Sequence, residues 1–415
     1  MKFPLPLTTF PAIKLSEEDE DALERVAEVV VKQTVAQYHE HLTRHHGVVD
    51  ETRWKKIKQR DNVRVYYERN RSKTQQDDDL SGDGDLDDQD RVMPLMLAFG
   101  TMPGTLDDVM YGALNPTTDE MMLKTAYVED GFVDWRVIAP IIKPTPESPF
   151  RELSIKWHVK GHSLLLGTVL RNRDTVHIES IGYAQTPNGE RIGYHLRHSV
   201  TVPGARELVE YNIVRASLSF CHLFRQLPNN TVEVFVQGRI EPMGDASVSV
   251  TVATSAEVPL SVANNVHCAE MKKLTRILRS KQTNHSFTNA TSNSNSLSSS
   301  ESSSSASQPS TAAPASASTC SMCSKSVGGR VASLTSSGKE KHCRICRQRV
   351  CSRCRVYKDI FLRTELEKDV SCTTMAFCTR CIVMASKASS VQFAEYDARV
   401  YAGKPVDEFE FDLGI

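Results

Sequence analysis

The placing of the cysteines constrains this chain more than any other feature. Nine of its eleven cysteines fall between Cys320 and Cys381. Eight of those form four Cys-x2-Cys pairs: Cys320 with Cys323, Cys343 with Cys346, Cys351 with Cys354, and Cys378 with Cys381. A Cys-x2-Cys turn lets two sulfurs face one metal, and eight thiolates are enough for two tetrahedral Zn²⁺ ions. Disulfides are the competing use, and they need an oxidising compartment. The opening Met1-Lys2-Phe3-Pro4-Leu5-Pro6-Leu7 sets prolines where a secretory signal needs an apolar helix, and no apolar run approaches the ~18 residues that span a bilayer. The expectation is a cytoplasmic chain with two structural zincs. Iron–sulfur ligation is the rival metal chemistry. Eight sulfurs for two metals leave no open coordination position, and no nucleophile–base pair or phosphate loop is visible, so the chain reads as a non-enzyme. Cys221 and Cys268 lie alone, and Cys372 reads as a spare buried thiol.

The 415 residues allow two or three domains. Residues 283–316, dominated by Ser, cannot bury enough apolar surface to offset chain entropy and read as a disordered linker. They separate a large domain over 1–282 from a small Cys-rich one over 317–387, with an acidic tail over 388–415 whose end, 407–413, reads as a frayed terminus rather than a linear partner motif. An acidic insertion over 74–91 imitates a calcium loop between Asp79 and Asp90 but lacks helical flanks, and reads as solvated. His41 and His45 are spaced like metal ligands, yet no third ligand is evident and a solvated helix end is the expectation. In the large domain, Ser16 caps a helix with acids in its first turn. Residues 62–69 and 95–102 read as strands, and Thr105 with Asp108 caps a short helix. Alternating stretches over 175–185 and 191–200 flank Pro187-Asn188-Gly189, and 212–227 and 231–240 flank Pro228-Asn229-Asn230. An amphipathic helix from about Val258 to Leu278 closes the domain. An antiparallel meander followed by one long helix predicts an α+β fold, with that helix as the cover of the sheet.

Arg173-Asp174, the strands after it, Pro203, Val214-Arg215-Ala216 and Pro242-Met243-Gly244 resemble the START (steroidogenic-acute-regulatory-protein-related lipid-transfer) family. The opening residues, Trp54 and Val159-Lys160-Gly161-His162 resemble the START-like proteins of oomycetes, often fused to a zinc finger. The resemblance implies a helix-grip fold, an antiparallel sheet around a long C-terminal helix, with a tunnel for a lipid or other apolar ligand. On that reading Glu270, which interrupts the apolar stripe of the last helix, and Arg215 are candidates for the lipid cavity.

Lys341-His342-Cys343-Arg344-Ile345-Cys346 followed by Val350-Cys351-Ser352-Arg353-Cys354 resembles the FYVE zinc finger. The resemblance implies a cross-brace, the first and third pairs on one zinc and the second and fourth on the other. It also implies docking on phosphatidylinositol 3-phosphate at endosomal membranes through Lys339, Lys341, His342 and Arg344, with Val331 and Leu334 in a membrane-insertion loop. Lys341 stands where that family has a first His, Glu340 breaks the basic stretch, and Ala376 stands where it has a late Arg. The alternative is a structural finger that binds a protein such as a small GTPase. RING fingers also cross-brace two zincs, but usually with a central His and two residues between the middle pairs, not four. From Cys320 to Cys381 there are thirteen Lys and Arg against five Asp and Glu, or +4 once eight thiolates and two Zn²⁺ are counted. That suits an anionic membrane lipid. The whole chain has a net charge of −1, which argues against nucleic acid.

Overall fold

In a computed structural model the chain divides into two compact units. One comprises Met1–Ala269 with Ser390–Phe409, the other Glu270–Ser389 with Glu410–Ile415. The structure describes residues 3–69, 93–161, 171–244, 248–292, 319–327, 341–362, 370–406, 409 and 411, without the side chains of 248–249 and 281–292. The calcium-loop imitation lies outside the described residues, as do Lys339, Val331 and Leu334. Among the described residues, no helix is long and apolar enough to cross a membrane.

The fold is α+β. The first unit opens with helix α1 (Glu17–Arg44), started by a capping box between Ser16 and Asp19. Strands β1 (Trp54–Arg60), β2 (Val63–Glu68) and β3 (Met96–Pro103) precede helices α2 (Leu106–Ala113) and α3 (Thr118–Val128). Then come β4 (Phe132–Ile142), β5 (Glu152–Lys160), β6 (Arg173–Gln185), β7 (Arg191–Ser199), the short β8 (Val214–Arg215), β9 (Ser217–Leu227) and β10 (Thr231–Glu241). Helices α4 (Val248–Ser255), α5 (Glu257–Leu260) and α6 (Asn265–Ser292) follow. Among the described residues these strands form one sheet in the order β1-β2-β3-β10-β9-β7-β6-β5-β4, antiparallel throughout, with β8 running parallel to β6. The turns expected at Asn188-Gly189 and Asn229-Asn230 are present, with Gly189, Asn229 and Asn230 all at positive φ.

Each central strand alternates, and each face has a separate cover. On one face Ile155, Trp157, Val176, Ile178, Leu196 and Leu223 pack with Ala27, Val31, Val35 and Tyr38 of α1. The cover of this face is the first helix; the start of the closing segment, over 258–265, lies over the other face. The other face lies under α2, α3 and residues 261–265. Gly193 of β7 meets Met110 and Leu106 of α2, and Gly112 of α2 meets the backbone of Asn265 closely enough that a Cβ there has no room. His41 is buried, with its ring edge-on to Phe99 at 4.7 Å, so it packs in the core rather than ending a solvated helix. The tail over 388–415 contains a helix, and of its end, 407–413, only residues 409 and 411 are among the described ones. Helix α8 (Ser390–Tyr401) belongs to the first unit, where Tyr111 donates to the buried Asp397 at 2.9 Å and Ser390 donates to Asp108 at 2.6 Å.

In the second unit β11 (Arg355–Leu362) pairs antiparallel with β12 (Ser371–Cys378), and α7 (Thr379–Lys387) follows directly. The buried apolar side chains of the finger are few, chiefly Ile345, Val350, Ile360 and Phe377. Cys372 lies exposed on β12, contrary to the buried thiol expected, whereas Cys221 and Cys268 are buried.

Candidate functional site

The cysteine pairs at 320 and 343 make the same local turn. Ser324 donates its backbone N–H to Cys320 O, and Arg347 donates to Cys343 O. Each turn is then reversed through positive φ, at Ser324 (56°) and Arg347 (57°). The third pair follows directly in a turn closed by the Cys354 N–H on Cys351 O. Cys378 caps α7, its sulfur accepting the N–H of Cys381 at 3.3 Å.

These turns gather the eight sulfurs into two groups. Cys320, Cys323, Cys351 and Cys354 form one; Cys343, Cys346, Cys378 and Cys381 form the other, with the sulfurs of each group within 4.8 Å of one another. First-with-third and second-with-fourth is an interleaved arrangement. Cys323 and Cys351 sulfurs stand 3.7 Å apart, and Cys346 and Cys378 sulfurs 3.8 Å apart. A disulfide needs about 2.05 Å. A tetrahedron of sulfurs at about 2.3 Å from a central Zn²⁺ has an edge of roughly 3.8 Å, so both groups can hold that ion. The electrostatics agree. The Cys343 thiol is drawn down to about 4 by hydrogen bonding from Cys381 and by backbone N–H groups, against the burial that opposes it. Its neighbour Cys346 is pushed up to about 11 by burial and by the charge on Cys343. Four crowded sulfurs cannot all ionise without a cation among them. Around this group Lys341, His342 and Arg344 are exposed on either side of the buried Cys343, and Ala376 is buried in β12.

The first unit holds a second cluster that the sequence reading did not identify. On the sheet face away from α1, Lys156, His158, His177, Glu179, His195, Arg197 and His222 are all buried. Register places them side by side: Lys156 opposite His177, Glu179 opposite Arg197, and His195 opposite His222. Glu179 is the hub. Its Oε1 accepts from Asn115 Nδ2 at 2.9 Å and pairs with His195 Nε2 at 3.0 Å. Lys156 Nζ reaches Asn115 Oδ1 at 2.7 Å, Glu152 Oε1 at 2.8 Å and Glu179 Oε1 at 3.5 Å. Burial opposes the charge on Glu179, but Lys156 and Lys124 hold its carboxyl well below the usual range. Burial likewise keeps the four histidines neutral; the His195 imidazole is held down to about 3. The signal was present as polar residues at every second position of 152–158 and 177–179, but that pattern ordinarily marks a solvated face.

The two proposed cavity residues are engaged elsewhere. Arg215 grips the fully buried Asp174 through Nε and Nη2 at 3.0 and 2.8 Å, and also donates to the backbone of Ala205 and Arg206. Trp157 Nε1 donates to the same carboxylate at 2.8 Å. Arg215 is thus an internal counter-ion rather than a free ligand donor. Replacing it by Met leaves a buried charge unpaired, and urea unfolding followed by tryptophan emission is expected to show a loss of about 3–5 kcal/mol. An unchanged midpoint contradicts that role. Glu270 lies in the second unit, where its carboxylate pairs with Lys358 at 3.4 Å.

No family model and no curated protein matches the chain. Its neighbours among solved structures are START-related lipid-transfer domains. Human STARD10 is similar over 57% of this chain and 78% of its own, at 13% identity and a TM-score of 0.37. Human StAR-related lipid transfer protein 5 is similar over 60% and 98%, at 12% identity and 0.39. A STAR-related lipid transfer protein fragment from Xanthomonas axonopodis is similar over 52% and 98%, at 14% identity and 0.33.

Proposed function

We propose that the chain is a non-enzymatic adaptor of the oomycete START-like type. Its first unit binds a lipid or other apolar ligand, and its FYVE-like finger holds two Zn²⁺ and docks on a phosphoinositide-bearing, endosomal membrane from the cytoplasm. The observation that carries the docking is the trio Lys341, His342 and Arg344, exposed around a metal-ligating cysteine. Closed four-sulfur sets fix that backbone, so the basic groups are presented on a rigid turn where a phosphate can take charge-assisted hydrogen bonds. The motifs at Arg173-Asp174 and Val214-Arg215-Ala216 support the lipid-binding half.

Flotation of the full chain with vesicles tests the docking. Binding is expected to require phosphatidylinositol 3-phosphate and to fall about tenfold or more in Lys341→Ala or Arg344→Ala, each a charge-assisted contact worth ~1.5–3 kcal/mol. Equal flotation with any anionic vesicle rules out specific recognition. A second reading has its own support: Ala376, where the FYVE resemblance calls for Arg, removes one phosphate clamp. If no vesicle floats the protein, the finger is better read as a protein-interaction module for a small GTPase or similar partner.

A further inference from the structure

We propose that the ligand of the first unit is an amphiphile with an acidic head, a carboxylate or a phosphate, seated against Arg197. The proposal rests on the lipid-binding reading above and names the ligand class for it.

Two small cavities adjoin on the sheet face away from α1, and Phe132, His158 and Arg197 line both. They differ in chemistry. The larger, about 60 Å³, is walled mainly by apolar groups such as Leu218, Ile240, Val250 and Val258. The smaller, about 20 Å³, is lined by polar and apolar groups in nearly equal measure. Arg197, Asn265, Trp135 and His195 line it, and among the described residues Arg197 Nε, Asn265 Nδ2, Trp135 Nε1 and His195 Nδ1 have no hydrogen-bond partner. Arg197 and Asn265 are 7% and 2% exposed. A buried donor left without an acceptor keeps its full desolvation cost, and three in residues lining one small space mark a site that a ligand completes.

The first three only donate, so what completes them accepts; His195 Nδ1, in a neutral ring whose Nε2 proton goes to Glu179, can accept one hydrogen bond in return. Charge narrows the class further. Lys124, Lys160 and Arg197 line these walls with Asp130 and Glu179. Glu179 Oε1 is already taken by Asn115, His195 and Lys156, Oε2 lies 3.7 Å from His177, and Asp130 accepts the backbone N–H of Phe132. The guanidinium opposite Glu179 is therefore not neutralised by a direct hydrogen bond, and an acid is the acceptor that suits it. The apolar lobe beyond His158 takes the tail. Together the cavities have room for a few waters and not for an acyl chain. Val250, Thr251, Thr254 and Val258 wall the apolar lobe, so α4 and α5 are the segments that binding displaces.

The test is titration of the full chain with three probes of one chain length, dodecanoate, dodecyl phosphate and dodecanol, read by calorimetry and by emission of Trp135. One of the two acids is expected to bind about 10- to 100-fold more tightly than the alcohol, the ratio expected of hydrogen bonds to a charged group. Whichever acid binds more tightly identifies the head. Arg197→Met is expected to abolish the preference while the alcohol still binds, and Asn265→Leu to reduce it in a chain that keeps its full buried charge. If dodecanol binds as tightly as both acids, the acidic-head proposal is overturned and lipid binding stands. If none of the three binds, both are overturned.

Discussion

Removing metal is expected to unfold the finger and leave the first unit intact. Each structural zinc contributes roughly 10–16 kcal/mol of apparent free energy, far more than the finger's handful of buried apolar side chains can supply. A strong chelator should release two zincs per chain, and residues 319–387 should become sensitive to protease. The three tryptophans, Trp54, Trp135 and Trp157, all lie in the first unit, so their emission should not move. The interleaving gives a sharper form of the same test. Cys346 and Cys351 are five residues apart in sequence, yet they belong to different sulfur groups. Cys346→Ser and Cys351→Ser should each lower the zinc content by one, and together by two. Cys323→Ser with Cys351→Ser should lower it by only one. Full protease resistance after chelation, or one zinc lost in the Cys346/Cys351 double variant, contradicts the assignment.

Acid is expected to unfold the first unit unusually early. His158, His177, His195 and His222 are all held below the usual histidine value, first by burial and then by the positive groups around them. Lys124, Lys156 and Arg197 supply those charges, and Glu179 opposes them. In the unfolded chain the same histidines titrate near 6.5. Below that value the unfolded state binds protons that the folded state refuses, so stability falls as pH falls. The loss is about 1.4 kcal/mol per pH unit for each histidine, from near 6.5 down to that ring's own folded value, which for His195 is about 3. The depressed Glu179 carboxyl adds to the loss at the acid end, because it too must take up a proton. A domain stable by ~5–15 kcal/mol cannot absorb this over more than a few pH units. Tryptophan emission should report unfolding well above the pH at which ordinary carboxylates titrate. His222→Gln should flatten the slope by about a quarter. A midpoint in urea that stays constant from pH 7.5 to 5 contradicts neutral burial of these rings.

The helix caps at Ser16 and Thr105 and the turns at Asn188-Gly189 and Asn229-Asn230 were legible because each depends on a few adjacent residues. The strands Phe132–Ile142 and Glu152–Lys160 were not. Three register shifts break the first, and polar side chains interrupt the second at every other position. The first unit also takes back helix Ser390–Tyr401 from beyond the finger, a contact more than 280 residues long that no local pattern reveals.

The sequence by itself picked out the eight cysteines that could hold metal, because the geometry of a Cys-x2-Cys turn is local and eight sulfurs in four such turns have few other uses. It also determined the α+β class, because periodicity is carried by consecutive residues. Which pairs share a metal could be taken only from a resemblance until the tertiary structure brought the sulfurs together. The tertiary structure alone decided the meaning of the polar positions on β5, β6, β7 and β9. Alternation shows that a strand has two different faces; it does not show that both are covered. With α1 on one side and α2, α3 and residues 261–265 on the other, the same lysine, glutamate, arginine and histidines become a buried network with unmet donors, because burial depends on what packs above a side chain.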